Sequence, residues 1–254
     1  MKSFVNLADI EKKDLRKIID LAKERKQEDK KDMESSKRLK GKTLIMIFEK
    51  KSLRTRISFE LAMKQLGGEL LTLNLKDSHY GSGGESIHDT AKVISQYGDI
   101  VMMRANDHKN FLKFKKNLDI PIINGLTNIS HPCQIMADIM TFEELKGSIE
   151  NKKIFITKDP KEAANMADCI MTDKWISMGD KSNKSNKKKL LKSYQVNKKI
   201  MNLAKPDAIF MHCLPANRGE EVTNEVIDGK QSAVWLEALN RMHVQKSIIE
   251  WCLE

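Results

Sequence analysis

The chain has 254 residues, 40% of them hydrophobic, which is enough to bury a full core in one or two domains. Four cysteines without a CxxC pair exclude a disulfide scaffold and a zinc knuckle, and the lack of a long apolar run or an apolar N-terminal segment predicts a cytoplasmic protein without a membrane partner. The net charge of +10 is typical of proteins that bind nucleic acid or an anionic substrate, and the low aromatic content argues against nucleic acid.

Strand and helix patterns alternate over the first 146 residues. Apolar residues at helical spacing predict helices over 9–24, 54–66, 86–97, 110–118 and 132–145. Short apolar runs predict strands over 42–48, 69–75, 99–104 and 120–124. Because strands that alternate with helices form βαβ units, this half predicts a parallel sheet flanked by helices.

The chain turns polar at 146–153, where we predict a domain boundary. Beyond it, the pattern predicts strands over 154–156, 169–172, 208–211 and 232–235, and helices over 160–166, 196–204 and 239–253. The segment 181–192 carries six lysines and no acid, and we predict a loop there. The predicted fold class is α/β, with a first domain over 1–146, a shortened second domain over 147–254, and parallel sheets flanked by helices in both. The last helix, 239–253, is predicted to pack back on the first domain.

The first candidate site is the SLRTR stretch at Ser52–Arg56, which follows a strand and opens a helix. Free backbone N–H groups and the positive end of a helix point at whatever lies there. Two guanidinium groups and two hydroxyls in the same turn add charge-assisted donors that suit a phosphate. An N-cap serine with surface arginines is the alternative, but arginine in a first turn opposes the helix dipole. The pattern therefore favours an anion site.

The second candidate is the HPCQ stretch at 131–134, again at the entry to a helix. A neutral His131 and the amide of Gln134 could bind a carbonyl oxygen and an amino group. A buried histidine at the start of a helix is the alternative. The motif by itself does not decide between them.

Two further candidates follow the ends of predicted strands, where ligands bind in open α/β sheets. The HCLP stretch at 212–215 places Cys213 there, as a nucleophile, a proton-linked group or a packed residue. The DKWISMG stretch at 173–179 places Asp173 there, either to bind an amine or to form an Asx turn. Position alone leaves these alternatives open.

Taken together, these stretches resemble the ornithine carbamoyltransferases, of the aspartate/ornithine carbamoyltransferase family. SxRTR, HPCQ, DxWxSMG and HCLP occur in the family's order, together with the phrases GESIHDTAKVISQYGD, KPDAIFMHCLPANRGEEVT and NRMHVQK. Four ordered motifs are highly specific, although any one alone would not be. The resemblance runs from the first helix to the last residue. It implies transfer of the carbamoyl group of carbamoyl phosphate to the δ-amine of L-ornithine, which gives L-citrulline and phosphate in arginine biosynthesis.

The resemblance also implies a role for each matching residue. Carbamoyl phosphate would be held by Ser52, the Leu53 backbone, Arg54, Thr55, Arg104, His131, Gln134 and Arg241. Ornithine would be bound by Asp173, Ser177, Met178, Cys213 and the Leu214 backbone. The catalytic residues would be Arg104, His131 and Cys213. The resemblance further implies a homotrimer that uses no metal and no other cofactor.

Two features depart from the family pattern. Leu53 stands where threonine is commoner, and leucine also occurs there in relatives that use acylated ornithines. Family members carry a Gly-Asp-x-x-Asn stretch and a helix after the first strand of the second domain, but here 152–154 runs almost directly into 157–168. At least one βαβ unit, roughly 30 residues, is missing. We therefore expect a smaller second sheet and an ornithine pocket that lacks one wall.

The sequence supports two main hypotheses. The first is an ornithine carbamoyltransferase. The second is a catalytically impaired remnant that binds carbamoyl phosphate or only assembles as a trimer. Transfer to aspartate is disfavoured because SMG and HCLP match the ornithine-specific branch, and SMG also disfavours an acylated ornithine.

Overall fold

The computed structural model describes residues 1–31, 38–74, 84–150, 155–176 and 184–254. The chain forms two compact units, one made of 1–136 with 240–254 and the other of 137–239. Within the described residues, no helix has both the length and the apolar character that crossing a membrane requires.

The first unit contains a four-stranded parallel sheet with the strand order β2-β1-β3-β4. Its strands are β1 (Thr43–Phe48), β2 (Glu69–Asn74), β3 (Ile100–Arg104) and β4 (Ile122–Leu126). Its helices are a 3-10 turn (Leu7–Asp9), α1 (Lys12–Lys31), α2 (Leu53–Gln65), α3 (Ile87–Tyr97), α4 (His108–Asn117) and the start of α5 (Pro132–Lys146). The predicted alternation of strands and helices around a parallel sheet is confirmed.

Burial explains why the central strands are continuous apolar runs. All residues of 44–48 in β1 and of 100–103 in β3 are buried, so both faces of these strands are covered. The edge strand β2 is partly exposed along its length. Helix α1 continues well past its predicted end at residue 24, because the lysines and glutamates that follow favour a helix without showing an apolar period.

The N-terminal residues and the last helix also belong to the first unit. Phe4 pairs with β4: its N–H donates to Ile122 O at 2.9 Å, and its carbonyl accepts from Asn124 N at 2.8 Å. The completely buried ring of Phe4 meets Trp251, near the end of the last helix, edge to face at 6.2 Å. The Arg25 guanidinium on α1 donates to the Glu250 carboxylate of the same helix.

The second unit contains a two-stranded parallel sheet of β5 (Cys169–Thr172) and β6 (Ile209–His212). Its helices are α6 (Pro160–Ala164), α7 (Lys184–Leu191), a 3-10 turn (Lys192–Tyr194), α8 (Lys198–Met201), α9 (Asn224–Ile227) and the start of α10 (Val234–Leu253). Apolar side chains from α6, α8, α9 and both strands contribute to its core. The sheet is small, as the sequence predicted.

Three predictions for this unit are wrong. The strand expected over 154–156 is not formed by Phe155 and Ile156, which have no regular structure and are 70% and 90% exposed, and residue 154 lies outside the described residues. The strand expected over 232–235 is reduced to one bridge from Ser232 to Phe210, because α10 already begins at Val234. The lysine-rich segment expected to be a loop is helical over 184–191, since lysine and leucine are good helix formers; residues 181–183 lie outside the described residues.

Candidate active site

The chain changes direction within the first sheet between β1 and β3. The crossover from β1 leads to β2 on one side, and the crossover from β2 returns to β3 on the other. Ligands of open α/β sheets bind at such a switch point, beyond the carboxyl ends of the strands. Ser52 follows β1, and Arg104 ends β3 in register with Phe48. Two of the residues predicted to bind phosphate therefore lie where this topology favours a ligand.

The SLRTR stretch forms the start of α2. Ser52 is the N-cap, and its hydroxyl accepts from Thr55 N at 3.4 Å. Leu53 is 71% exposed, so its side chain takes no part in the interior, whereas Thr55 is completely buried. The helix runs for 13 residues, and its first turn presents backbone N–H groups at the switch point.

The two arginines of this stretch have different environments. Arg54 is half-buried in the first turn of α2. Arg56 is exposed, and its Nε lies 4.0 Å from the Glu60 carboxylate on the next turn. The environment of Arg54 therefore agrees with a role in an anion site, whereas that of Arg56 agrees with an ordinary surface arginine.

Three of the predicted carbamoyl-phosphate residues meet at one hydroxyl group, and a fourth joins them through Arg241. Thr55 Oγ1 accepts from Arg104 Nη1 at 3.0 Å and from Arg241 Nη2. Arg241 Nη1 also donates to Gln134 Oε1 at 3.2 Å. Thr55, Gln134 and Arg241 are all buried. Side chains from α2, β3, α5 and α10 thus form one cationic cluster.

His131 lies in the field of this cluster. Burial and the charges of Arg241, Arg104 and Lys50 hold the pKa of His131 well below its ordinary value of 6.5. Its imidazole is therefore neutral at neutral pH and carries one N–H donor. Its Nδ1 is buried without a hydrogen-bond partner among the described residues.

A turn that the sequence analysis did not single out presents His131. Thr127 Oγ1 accepts from the N–H groups of Ile129 and Ser130 at 3.3 Å each, and Thr127 N donates to Ser130 O at 3.0 Å. The buried amide of Asn124 donates to Ser130 Oγ at 3.1 Å. Asn124 interrupts an apolar strand, and Thr127 and Ser130 follow directly after it, which is the signal that could have identified them.

Lys50 is a second residue that the sequence analysis missed. Burial and the nearby charge of Arg104 lower the pKa of its ammonium group, and Glu49 partly offsets this. The Glu49 carboxylate also accepts from Asn106 N at 2.6 Å, and Glu49 N donates to Arg104 O at 3.0 Å. Lysine is so frequent in this chain that one lysine at the end of β1 gave no distinct signal.

The second unit places another predicted pair at the ends of its strands. Thr172 and His212 are in register, so Asp173 and Cys213 follow side by side, and the thiol donates to Asp173 Oδ1 at 3.2 Å. Burial raises the pKa of Cys213, and the charge of Asp173 and the hydrogen bond to it raise the pKa further. The arrangement favours a protonated thiol that donates over a thiolate nucleophile. Asp173 Oδ1 also accepts from Lys174 N at 2.7 Å.

Buried carboxylates hold the HCLP turn. Nδ1 of His212 accepts from Leu214 N at 2.8 Å, so Nε2 carries the proton and donates to Glu221 Oε1 at 3.2 Å. The backbone N–H of His212 donates to Glu237 Oε2 at 2.9 Å. Leu214 has a φ of 56°, a conformation that its surroundings must enforce in a leucine. Glu221 and Glu237 are functional candidates that only the packing reveals.

The remaining predicted ornithine residues, Ser177 and Met178, lie outside the described residues. Within the described part of the chain, Asp173, His212 and Cys213 bring potential metal-ligand atoms within 4.8 Å of one another. The bond from Leu214 N already uses Nδ1 of His212, so a metal ion would have to displace it. That the protein needs no metal stays a prediction.

Comparisons with known proteins decide the family. The carbamoyl-phosphate-binding domain of the aspartate/ornithine carbamoyltransferases matches residues 2–144, and the aspartate/ornithine-binding domain matches residues 120–252. The chain belongs to the aspartate/ornithine carbamoyltransferase family. The resemblance inferred from the four motifs is confirmed.

Individual relatives agree with this assignment. An ornithine carbamoyltransferase of Rhodopseudomonas palustris is 43% identical, with 99% of this chain and 96% of the relative covered. That of Agrobacterium fabrum is 42% identical, with 99% and 98% covered. The solved structure of the ornithine carbamoyltransferase from Pyrococcus furiosus has a TM-score of 0.91 at 37% identity and covers 99% of this chain and 97% of that one.

The alignment with the R. palustris protein shows that this chain is short. That alignment extends over 301 positions, whereas this chain has 254 residues, so at least 47 positions of the R. palustris protein have no counterpart here. Because nearly all of both chains is aligned, the shortfall lies inside the chain. A shortened second domain agrees with this difference in length.

The lowered pKa of His131 predicts a pH dependence of stability. The unfolded chain takes up a proton near pH 6.5 that the folded chain does not bind, so the free energy of unfolding falls as the pH drops below that value. His131→Asn removes the titrating imidazole. Between about pH 7.5 and about pH 5.5, the free energy of unfolding of this variant should therefore fall by roughly 1 kcal/mol less than that of the wild type. Denaturant unfolding in phosphate-free buffer at both pH values measures it. Parallel losses in the two proteins would contradict the assignment.

Proposed function

We propose that the protein is an ornithine carbamoyltransferase, which forms L-citrulline and phosphate from carbamoyl phosphate and L-ornithine. The observation that carries the proposal is the cluster in which Arg104 and Arg241 both donate to the Thr55 hydroxyl beside Gln134. A group of guanidiniums at a strand-to-helix switch point suits a small dianion. The family and its curated relatives supply the identity of the substrates.

In this proposal the first unit holds carbamoyl phosphate. The phosphate contacts the first turn of α2 through Ser52, the Leu53 N–H, Arg54 and Thr55. Arg104 reaches both the phosphate and the carbonyl oxygen, and Arg241 approaches the carbamoyl group. The neutral His131 donates to the carbonyl oxygen, and Gln134 accepts from the carbamoyl amino group. Lys50 adds positive charge beside Arg104.

The second unit supplies the contacts to ornithine. The Cys213 thiol donates to Asp173 Oδ1 at 3.2 Å, so the carboxylate and the thiol sulfur lie side by side as acceptors for the amino groups of the substrate. By the family pattern, Asp173, Ser177 and Met178 bind the α-amino end. Cys213 and the Leu214 backbone contact the attacking δ-amine.

The chemistry needs positioning and electrostatics and no covalent intermediate. The neutral δ-amine attacks the carbamoyl carbon, a C–N bond forms, and the C–O bond to phosphate breaks. The amine loses one proton, which the departing phosphate takes up. The arginines and His131 stabilise the negative charge that develops on the carbonyl oxygen and on the phosphate.

A second candidate is a remnant that binds carbamoyl phosphate but turns over ornithine poorly. The shortfall of at least 47 positions and the exposed apolar side chains of Phe155 and Ile156 favour it. In family members, the unit that is missing from this chain carries an asparagine that binds the ornithine backbone. The loss of one such contact to a small ligand costs roughly 10- to 1000-fold in affinity.

Citrulline formation by the purified protein tests the function. We expect product from carbamoyl phosphate and ornithine, with a carbamoyl-phosphate Michaelis constant in the ordinary range and ornithine that saturates poorly. N-acetylornithine and aspartate serve as control acceptors and should give no product. Brisk turnover with ornithine saturating below about 1 mM would show that the shortened unit forms a complete pocket. The absence of product with all three acceptors would contradict the first function and favour the second candidate, the impaired remnant.

A matched pair of arginines tests the phosphate site. Arg54→Gln should weaken the binding of inorganic phosphate by roughly 10- to 100-fold, because it removes a charged donor from the first turn of α2. Arg56→Gln alters the same motif at an exposed position and should change the affinity less than about threefold. Isothermal titration of both variants decides. Equal affinities would place the anion elsewhere.

We also propose that the protein works in the cytoplasm as a homotrimer, as the family resemblance implies. Every strand and helix predicted for the first 146 residues is formed, so we expect assembly to survive the shortening of the second unit. Light scattering at micromolar concentration should give about three times the chain mass of 29.1 kDa. A monomeric mass would contradict the proposal.

A further inference from the structure

One buried face of α1 carries a lysine. Ile18, Ala22 and Lys26 follow one another at intervals of four residues, so they share a face of the helix, and all three are buried. An ammonium group in such a place loses hydration and must donate hydrogen bonds instead. Lys26 Nζ donates to Asn240 Oδ1 at 2.7 Å. The lysine therefore ties α1 to a particular residue of α10.

Asn240 stands directly before Arg241, where α10 enters the first unit. The asparagine is completely buried, and the guanidinium that follows it reaches Thr55 and Gln134. The axial position and rotation of α10 at Asn240 thus decide where the guanidinium of Arg241 lies. An amide acceptor also adds no negative charge beside Arg241, so the positive potential of the site is kept.

We propose that Lys26 is a positioning residue for the anion site, which acts through Asn240 to hold Arg241 at the Thr55 hydroxyl. The proposal rests on the carbamoyl-phosphate site proposed above. The first helix contributes no residue to that site, but in this proposal it affects the affinity of the site for phosphate.

The test separates positioning from simple packing. Lys26→Met keeps the length of the side chain and removes the donor, and Ile18→Val loosens the same face of α1 two turns earlier. We expect Lys26→Met to weaken the binding of inorganic phosphate and to raise the carbamoyl-phosphate KM by roughly tenfold, as a small displacement of a site group does. Ile18→Val should lower the unfolding midpoint and leave both quantities within about twofold. Equal effects of the two variants on affinity would overturn the proposal.

A double-mutant cycle shows whether Lys26 acts through Arg241. In an Arg241→Ala background, Lys26→Met should change the phosphate affinity little further, because the group that it positions is gone. The same loss in both backgrounds would mean that the two residues act independently, which overturns the proposal.

Asn240→Ala tests the same contact from the other side, because it removes the acceptor and leaves the lysine. It should weaken phosphate binding as Lys26→Met does, and it replaces Lys26→Met in the test if that variant does not fold. Wild-type protein that binds neither phosphate nor carbamoyl phosphate would overturn the proposed function and this inference together. Wild-type protein that binds, with Lys26→Met and Asn240→Ala unchanged in affinity, would overturn this inference alone.

Discussion

Two guanidinium groups converge on one buried hydroxyl, and the first unit is arranged around this contact. Arg104 and Arg241 both donate to Thr55 Oγ1, although their charges repel each other. Folding holds them there through elements far apart in sequence, because β3 supplies one arginine and α10 the other. In the proposed function, a dianion that enters the site meets guanidinium groups that the fold already holds in place, so little reorganisation would oppose binding.

Burial and the same charges together determine the state of His131. Burial lowers its pKa most, and Arg241, Arg104 and Lys50 lower it further, so the positive potential of the proposed phosphate site helps to keep the imidazole neutral. A neutral imidazole donates to a carbonyl oxygen without adding charge to the free site. In the proposed function the same cationic cluster would therefore both bind the anion and, together with burial, keep the donor neutral; the turn built on Thr127 fixes where that donor lies.

Among the described residues, the second unit keeps its polar pair with two strands. Asp173 and Cys213 adjoin because Thr172 and His212 are in register, and this requires no further strand. The buried carboxylates of Glu221 and Glu237 secure the turn after β6 from within the unit. Shortening the chain elsewhere can therefore remove one wall of a pocket and still leave the acceptor and the thiol donor in place.

The sequence by itself determined the α/β class, nearly all elements of the first unit and the family, because apolar periodicity and four ordered motifs are local signals. It also placed Thr55, Arg104, Gln134 and Arg241 in one site, but only through the family resemblance. Tertiary structure decided which arginine of SLRTR is partly buried, that Lys50 lies near Arg104, that Lys26 donates to the residue before Arg241, and that Cys213 stays protonated. It also showed that the lysine-rich segment is helical over 184–191 and that 155–156 is not a strand. Burial and neighbouring charge set these properties, and both depend on residues that are distant in sequence.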